Sequence, residues 1–558
     1  MTQSPGIKTI IAGDSTVIMK LLPKNKHLFT FAALVLPLAM QGANISLTAN
    51  DAVGTTSFNA AGHWSNALAP VATNNYFTAA YGMRTPPTTS SYTFGGASLT
   101  LGPLVAATSA YGLIVKSSVA AGGSWTMTIN NFTNAGTLLR SGGSTGSTTI
   151  LGGNVFAVTG NSTIAADQTY WTINSPLAGA GIITNTFANN QTITYAGTNT
   201  AFLGGFNVAA GTVILTSASG GFANPAALFT NQITLQNGAV FQDNGGVSFG
   251  SNSGFLLAGN ATIYTPNATT TVLAGPVSDS GSGYKLTKSG VGGLSLSASN
   301  TIAGGITLNA GLLGFSTYGL GGGPLTYSAG SLQWLPGSTA DISLLSPTIT
   351  ANATLDVGTN YVGFANGLTV PGSLTKLGIG TLALSNNCSI GGATTVSNGV
   401  LALVGSGSIG SSTNINLTAA ATLDVTGLSG GYTLGSAQTL GGSGTVNGAL
   451  TDYYNSVIAP GGNRVAGTLT VNGNLTLGGY GGSDALNLDI TNTPGIGGGS
   501  NDLVVVNGNL NLNGGTVVNL NFLSGAPGAG VYTILKYTGT LTGDPAAMLT
   551  PPQSRHQL

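Results

Sequence analysis

Charge is scarce in this chain. Only 5% of its 558 residues are charged, and all 13 acidic residues are Asp, so Glu is absent altogether. Globular proteins usually carry about 25% charged residues, and exposed helices draw heavily on Glu and Lys. A helical bundle is therefore excluded. The formal net charge is zero, which leaves no electrostatic footprint for nucleic acid or anionic lipid. One cysteine, Cys388, rules out a disulfide within the chain and a zinc site built on cysteines. Of the three histidines, His27 falls in the N-terminal segment and His556 in the C-terminal tail, which leaves His63 alone in the body of the chain. No apolar run downstream of the N-terminal region is long enough to cross a bilayer as a helix, and the C-terminus lacks the series of alternating strands an outer-membrane barrel needs.

What remains is rich in one vocabulary. Glycine supplies 89 residues and apolar residues 42%, with a mean hydropathy of +0.31. Val, Ile and Thr suit a pleated surface, while Gly and Asn suit the left-handed positions of tight turns. The composition predicts an all-β protein held together by burial and backbone ladders.

The N-terminal segment reads as a secretory signal. Lys20, Lys24 and Lys26 precede an apolar run from Leu28 to Met40, followed by Gly42 and Ala43. The run is shorter than the roughly 20 residues a spanning helix requires. Cleavage is expected within 41–43, after Ala43, with Met19 a better start than Met1 because residues 1–18 add nothing to the signal. Export to the bacterial cell surface or medium follows, with no membrane-spanning segment left after cleavage. At the other end, 544–558 is a tail without a recognisable anchor, in keeping with a truncated end.

Internal repetition is the strongest signal. Residues 286–313, LTKSGVGGLSLSASNTIAGGITLNAGLL, align without a gap at a shift of 88 with 374–401, LTKLGIGTLALSNNCSIGGATTVSNGVL, giving 13 identities in 28 positions. The pattern keeps Leu286, Lys288, Gly290, Gly292, Leu294, Gly304 and Gly311 over Leu374, Lys376, Gly378, Gly380, Leu382, Gly392 and Gly399. A partial copy lies at 204–215, and a V-N-G-x-L unit recurs at Val446, Val471 and Val506. Alternation such as Leu294-Ser-Leu296 turns one side of a short strand to a core, and Gly-Gly or Asn-Gly then turns the chain. Strands this short bury a core only by stacking coil on coil. With roughly 20–25 residues per coil, 150–543 would form on the order of 16–20 coils, a rod about 80–95 Å long at the ordinary interstrand spacing. An array of β-sandwiches with a period near 88 is the rival architecture. The expected organisation is an N-terminal β cap at 44–150 holding Trp64 and Trp125, a β-helix over 151–440, further coils over 441–543, then the tail.

The Leu-Thr-Lys-x-Gly-x-Gly-x-Leu-x-Leu block, followed by Gly-Gly and then Gly-x-Leu, resembles the autotransporter-associated β-strand repeat, or passenger-associated transport repeat, of large bacterial surface proteins. The copy at 372–401 is the closer match. The stretch 440–543 is similar to the region that follows such repeats, with Ile458-Ala-Pro-Gly-Gly, Gly467-Thr-Leu-Thr-Val and Val531-Tyr-Thr-Ile-Leu-Lys-Tyr. Trp64 with Pro70 and Tyr76 also fits. The resemblance implies a right-handed parallel β-helix passenger whose repeat assists transport and folding outside the cell. The sequence departs from the family pattern in lacking a translocating barrel.

Candidate chemistry is thin. Glycoside hydrolysis needs two carboxylates facing one bond, and the nearest grouping, Asp484, Asp489 and Asp502, is the candidate for either catalysis or calcium binding. Asp484 and Asp489 fall on opposite sides of a strand, and Asp502 reads as a turn cap before Leu503-Val-Val-Val506. A Ser-His-Asp triad would depend on His63. Cys388 occupies the position of Asn300 in the other copy, a turn position. Glycine runs such as Gly319–Gly323 lack the Lys-Ser/Thr of a phosphate loop. Lys288 and Lys376 recur at one motif position, pointing to a structural or rim role. Tyr453, Tyr454 and Tyr480 are candidates for a sugar-stacking strip. The expected protein is a monomeric, non-enzymatic structural or adhesin-like passenger with no cofactor or metal, meeting surface glycans or other cell-envelope components. The alternatives are a polysaccharide lyase or glycoside hydrolase on the same fold, or a carbohydrate-binding module.

Overall fold

The computed structural model describes residues 42–558 except 103–111, 188–190, 198–200, 217–231, 463, 479–483, 498, 526 and 551–558. The chain divides into two units, Met1–Gln41 and Gly42–Leu558. The first, with the expected signal segment, lies outside the described residues.

The second unit is a parallel β-solenoid. Its strands are two to seven residues long, and they alternate inward and outward as the sequence periodicity requires. Leu286–Ser289 buries Leu286 and Lys288 and turns Thr287 and Ser289 outward. Each strand pairs in parallel with its counterpart one coil on, as Leu286–Ser289 does with Ile306–Leu308 and Leu374–Leu377 with Thr394–Val396. The isolated bridge between Leu47 and Trp64 is the one antiparallel contact among the described residues. Pairing of this kind overturns the sandwich rival, whose sheets would be antiparallel. Helical structure among the described residues is limited to a 3-10 turn at Ile342–Leu345 and a single α turn at Pro545–Met548.

By order along the chain, each coil visits three sides. One side is a 7-stranded sheet continued by a 14-stranded one, the next a 9-stranded sheet continued by an 8-stranded one. The third is a 12-stranded sheet continued by a 2-stranded and then a 5-stranded one. On the longest sheet successive strands begin at Gly293, Leu312, Ser331, Ala353, Leu374 and Thr394, so a coil takes 19 to 22 residues there. Later strands begin at Val457, Ala485 and Thr516, where a coil lengthens to 28 and then 31 residues. Inward residues stack in register: Leu294 on Leu313, Leu332 and Leu355, and Leu296 on Phe315 and Trp334. Burial of these columns, with parallel ladders between successive coils, supplies the core that no single coil encloses.

The repeats sit on this frame in an unexpected way. Leu286–Ser289 belongs to the 12-stranded sheet and Gly293–Leu296 to the 14-stranded one. Their equivalents 88 residues later, Leu374–Leu377 and Thr381–Leu384, belong to the 14-stranded and 8-stranded sheets. The shift is four coils plus one side, which explains why it is not a multiple of the coil length. In the partial copy at 204–215, Phe206–Val208 lies in the 9-stranded sheet and Thr212–Leu215 in the 12-stranded one, so the three copies start on three different sides. The V-N-G-x-L units behave otherwise: Val446, Val471 and Val506 align on one sheet.

Strands within 44–150 join the same long sheets, with Ser98–Leu101 paired to Asn131–Ala135 and that to Val155–Gly160. What differs from the coils beyond is the connection 48–74. It carries Phe58 and Trp64 into the core, where Trp64 meets Tyr76 edge-on at 4.8 Å and Phe58 packs on Tyr92 and Phe94. At the C-terminal end, Leu549–Thr550 still pairs with Thr516–Val517, so the ladder reaches into the segment expected to be a tail.

Candidate functional site

The repeat residues converge on two lysine clamps. Parity places Lys288 two residues after inward Leu286, and Lys376 two after Leu374, on the same side of the strand. Both lysines are accordingly 0% exposed. Their position is inside the coil and not at its rim, as the alternation of the sequence already required. Lys288 Nζ donates to the carbonyls of Ser289 at 3.0 Å, Gly290 at 2.8 Å and Ala310 at 3.0 Å. Lys376 Nζ donates to Gly378 and Gly380 at 2.6 Å and to Asn398 at 2.8 Å. An ammonium has three protons and no acceptor, and here each finds a carbonyl. Ala310 and Asn398 belong to the following coil, so each lysine closes its own turn and grips the next. Burial depresses both amines from 10.5 to about 8, opposed at Lys376 by the Asp356 charge.

The repeat glycines mark where coils touch. Gly290 and Gly378 adopt φ of 82° and 83° at the turn beneath each lysine. A Cβ on Gly292 or Gly380 would lie 2.1 Å from the backbone oxygen of Asn267 or Asn360. One on Gly304 would meet Gly283 O at 2.2 Å, on Gly392 Ser373 Oγ at 2.5 Å, and on Gly399 Gly380 O at 2.5 Å. Leu286, Leu294, Leu374 and Leu382 fill the core beside them. Val291 and Ile379, equivalent residues at the turn tips, are exposed.

A second feature lies on the outer surface of the 14-stranded sheet. Thr395, Asn416, Gly441 and Ala459 are in register there, and Asn487 pairs with Asn519 further along. Small Gly441 and Ala459 leave a trough between the longer amides, a groove of about 980 Å³ also lined by Arg464 and Asp489. Asn519 Nδ2 donates to Asn487 Oδ1 at 2.8 Å, and Asn521 Nδ2 to Asp489 Oδ1 at 2.5 Å. Asp489 Oδ2 has no hydrogen-bond partner among the described residues.

Asp502 stands behind Asp489 and does not line the groove. Its Oδ1 accepts from Gly467 N–H and its Oδ2 from Asp489 N–H, each at 2.7 Å. Burial, and after it the Asp489 charge, pushes its carboxyl up to about 7 in spite of these donors. The cap expected within its own turn is thus a tie across to two other segments. Asp484 and Asp489 do face opposite sides of Ala485–Ile490, with Asp484 following the inward parity of Leu486 and Leu488.

The profile of the Passenger-associated-transport-repeat family matches residues 286–313 and 374–403. These blocks are passenger-associated transport repeats. The chain also shares 41% identity over 85 residues with the adhesin BmaC autotransporter of Brucella suis biovar 1 (strain 1330). That match covers 15% of this chain, which spans about 2% of the length of the adhesin. No solved structure matches.

Beyond the transport repeats, the remaining candidates fall into structural roles. His63 has two neighbours that sequence reading missed, Asp51 and Ser57. Its Nδ1 lies 3.3 Å from Asp51 Oδ1 without hydrogen-bond alignment. Ser57 Oγ donates to Asp51 Oδ1 at 2.7 Å and accepts from the His63 backbone N–H. A triad needs the hydroxyl on the imidazole; here it is on the carboxylate, whose Oδ2 takes the Ser57 and Arg84 N–H groups. The signal available was only local, three polar residues within one loop. Tyr453 and Tyr454 are exposed on a turn away from the groove, and Tyr480 is outside the described residues. At the expected cleavage residue, the Ala43 N–H donates to Asn74 Oδ1 and its carbonyl accepts from Asn75 N–H, tying it to the second coil. No group of three or more His, Cys, Asp or Glu gathers among the described residues.

Cys388 takes over the work of Asn300. Asn300 Oδ1 accepts from Val277 N–H of the preceding coil, and Cys388 Sγ accepts from Leu368 N–H at 3.4 Å in the same way. The thiol is buried, and burial raises its pKa. Thiolate is the reactive form, so Cys388 is expected to resist a thiol reagent in the native protein and to label stoichiometrically after denaturation. Rapid labelling at pH 7 without denaturant would contradict this burial.

Proposed function

We propose that the chain is an exported, non-catalytic bacterial passenger, displayed at the cell surface or released, and that it acts as an adhesin-like module. The observation that carries this reading is the pair of transport repeats, each with a complete lysine clamp, on a continuous parallel solenoid. The likeness to an autotransporter adhesin supports it. The amide-lined groove is the contact surface in this reading: carboxamides and hydroxyls at the spacing of the coils, roughly 4.8 Å, suit the hydroxyl groups of a surface glycan.

Polysaccharide cleavage is the second reading, favoured by the Asp502 carboxyl near 7 beside Asp489. Two carboxyls must face the scissile bond for that chemistry; Asp489 alone reaches the groove, and both Asp502 oxygens are held by backbone N–H groups.

One experiment separates them. The full chain is exposed to a panel of neutral and acidic oligosaccharides while binding and release of new sugar ends are both followed. Binding without release is expected, weakened at least fivefold when Asn416, Asn487 and Asn519 are changed together to Ala. Release abolished by Asp489→Asn would establish the enzyme, and no binding to any member would remove the groove from the adhesive role.

A further inference from the structure

A buried oxygen cluster lies on the inner side of the same late coils, apart from both the groove and the clamps. Asp484 immediately precedes the strand Ala485–Ile490, and Thr516 opens the strand Thr516–Phe522 of the next coil. Ala485 pairs with Val517, which sets Asp484 beside Thr516, both on the inward parity. Asp484 is 1% exposed and Thr516 2%. Among the described residues, neither oxygen of the Asp484 carboxylate has a hydrogen-bond partner, and neither does Thr516 Oγ1. The backbone N–H of Asn455 favours the charged carboxylate but falls outside hydrogen-bond geometry. Asp452, buried one coil earlier, is close enough that its charge acts on Asp484; its Oδ2 accepts from Gly478 N–H at 2.9 Å.

Buried carboxylates are normally paired, hydrogen-bonded or bound to a metal, because an uncompensated one is severely penalised. Here the Asp452 charge acts on a second buried carboxylate, and three oxygen atoms, two from Asp484 and one from Thr516, have no donor among the described residues. Those atoms belong to two adjacent coils and are all hard oxygen ligands. No third His, Cys, Asp or Glu joins Asp484 and Asp452 among the described residues.

We propose that Asp484, Thr516 and Asp452 form a calcium site that fastens successive late coils together from within. Calcium accepts irregular sets of carboxylate, hydroxyl and carbonyl oxygens, whereas magnesium demands a near-octahedral shell and gives up its waters reluctantly. The ion would neutralise the repulsion between the carboxylates and occupy the unpartnered hydroxyl oxygen. The coils it joins are the lengthened ones, where more chain separates one ladder strand from the next.

The test uses the full chain freed of metal with a chelator and titrated with calcium or magnesium chloride at pH 7, reading binding by calorimetry and the unfolding midpoint in parallel. Calcium is expected to bind and to raise the midpoint by several degrees, with magnesium at least tenfold weaker. Asp484→Asn should weaken calcium binding at least tenfold. Thr516→Val, which keeps both carboxylates and the strand, should weaken it by threefold or more and serves if the Asp484 variant does not fold. Absence of calcium binding by the wild-type chain overturns the site, and so does binding that survives both substitutions unchanged. In the former case Asp484 is held as the neutral acid, and its folded-state stability should fall as pH rises above the ordinary carboxyl range.

Discussion

Lys376→Ala is expected to destabilise the coils around 374–398 by about 3–5 kcal/mol, the range for removing one member of a buried charged network. Opposing effects set this figure. Depression of the amine from 10.5 to about 8 corresponds to about 3 kcal/mol against the charged form, and the substitution relieves it. Against that, three carbonyls lose their donor at about 1–3 kcal/mol each, and truncation of a fully buried side chain opens a cavity. The unmet carbonyls and the cavity outweigh the relief. Lys376→Met fills most of the space and should lose less than half as much. A solenoid unfolds by segments more readily than as one unit, so amide exchange in Leu374–Leu377 and Thr394–Val396 is the appropriate readout. Exchange unchanged in both strands would deny the clamp its role. The same depression fixes a pH dependence. Below pH 8 both folded and unfolded chains hold the proton. Between pH 8 and 10.5 the unfolded chain retains it and the folded chain has shed it, so this contribution makes stability rise with pH. Subtracting the profile of a Lys288→Met, Lys376→Met double variant isolates that rise from the titration of other groups.

Gly311→Ala should be nearly as damaging, at about 3–4 kcal/mol, because two separate penalties meet at one atom. The residue has φ of 74°, worth about 1–3 kcal/mol against a non-glycine residue. Its Cβ would lie 2.2 Å from Gly292 O, 2.4 Å from Gly290 O and 2.9 Å from Lys288 Nζ, and forcing coils apart adds about 1–3 kcal/mol. Gly322, where nothing lies within 4 Å of the added atom, is the control, and Ala there should shift stability by no more than about 0.5 kcal/mol. Equal effects of the two substitutions in chemical unfolding would mean that glycine serves this fold by turn flexibility alone.

These sites show how far the sequence could be read. The solenoid was legible because period-two alternation and the ungapped copies say that short strands stack, and the structure stacks them in parallel. Alternation also contained the inward course of Lys288 and Lys376, yet a charged side chain in phase with leucine invites the opposite assignment. Only the positions of the turn carbonyls reveal what makes burial tolerable, and those depend on the coil above. The same limit applies to Asp502, whose carboxylate ties Gly467 to Asp489, and to the groove, whose floor is made by Gly441 and Ala459 from different coils. Asp51 and Ser57 were invisible as partners of His63 because no spacing rule links them; a loop with its own fold does. Contacts along a strand can be read from a string, whereas contacts along the axis need the length of every coil.

The placement of the repeats on successive sides has a bearing on how such a protein can grow. Adding one 88-residue block shifts whatever follows by about a third of a revolution as well as by several rungs. A loop that faced one direction before the insertion faces another after it. Three blocks together would restore the original bearing, while the V-N-G-x-L units extend the body without swivelling it. Lengthening and reorientation are therefore separable in this architecture, each governed by its own class of duplicated segment.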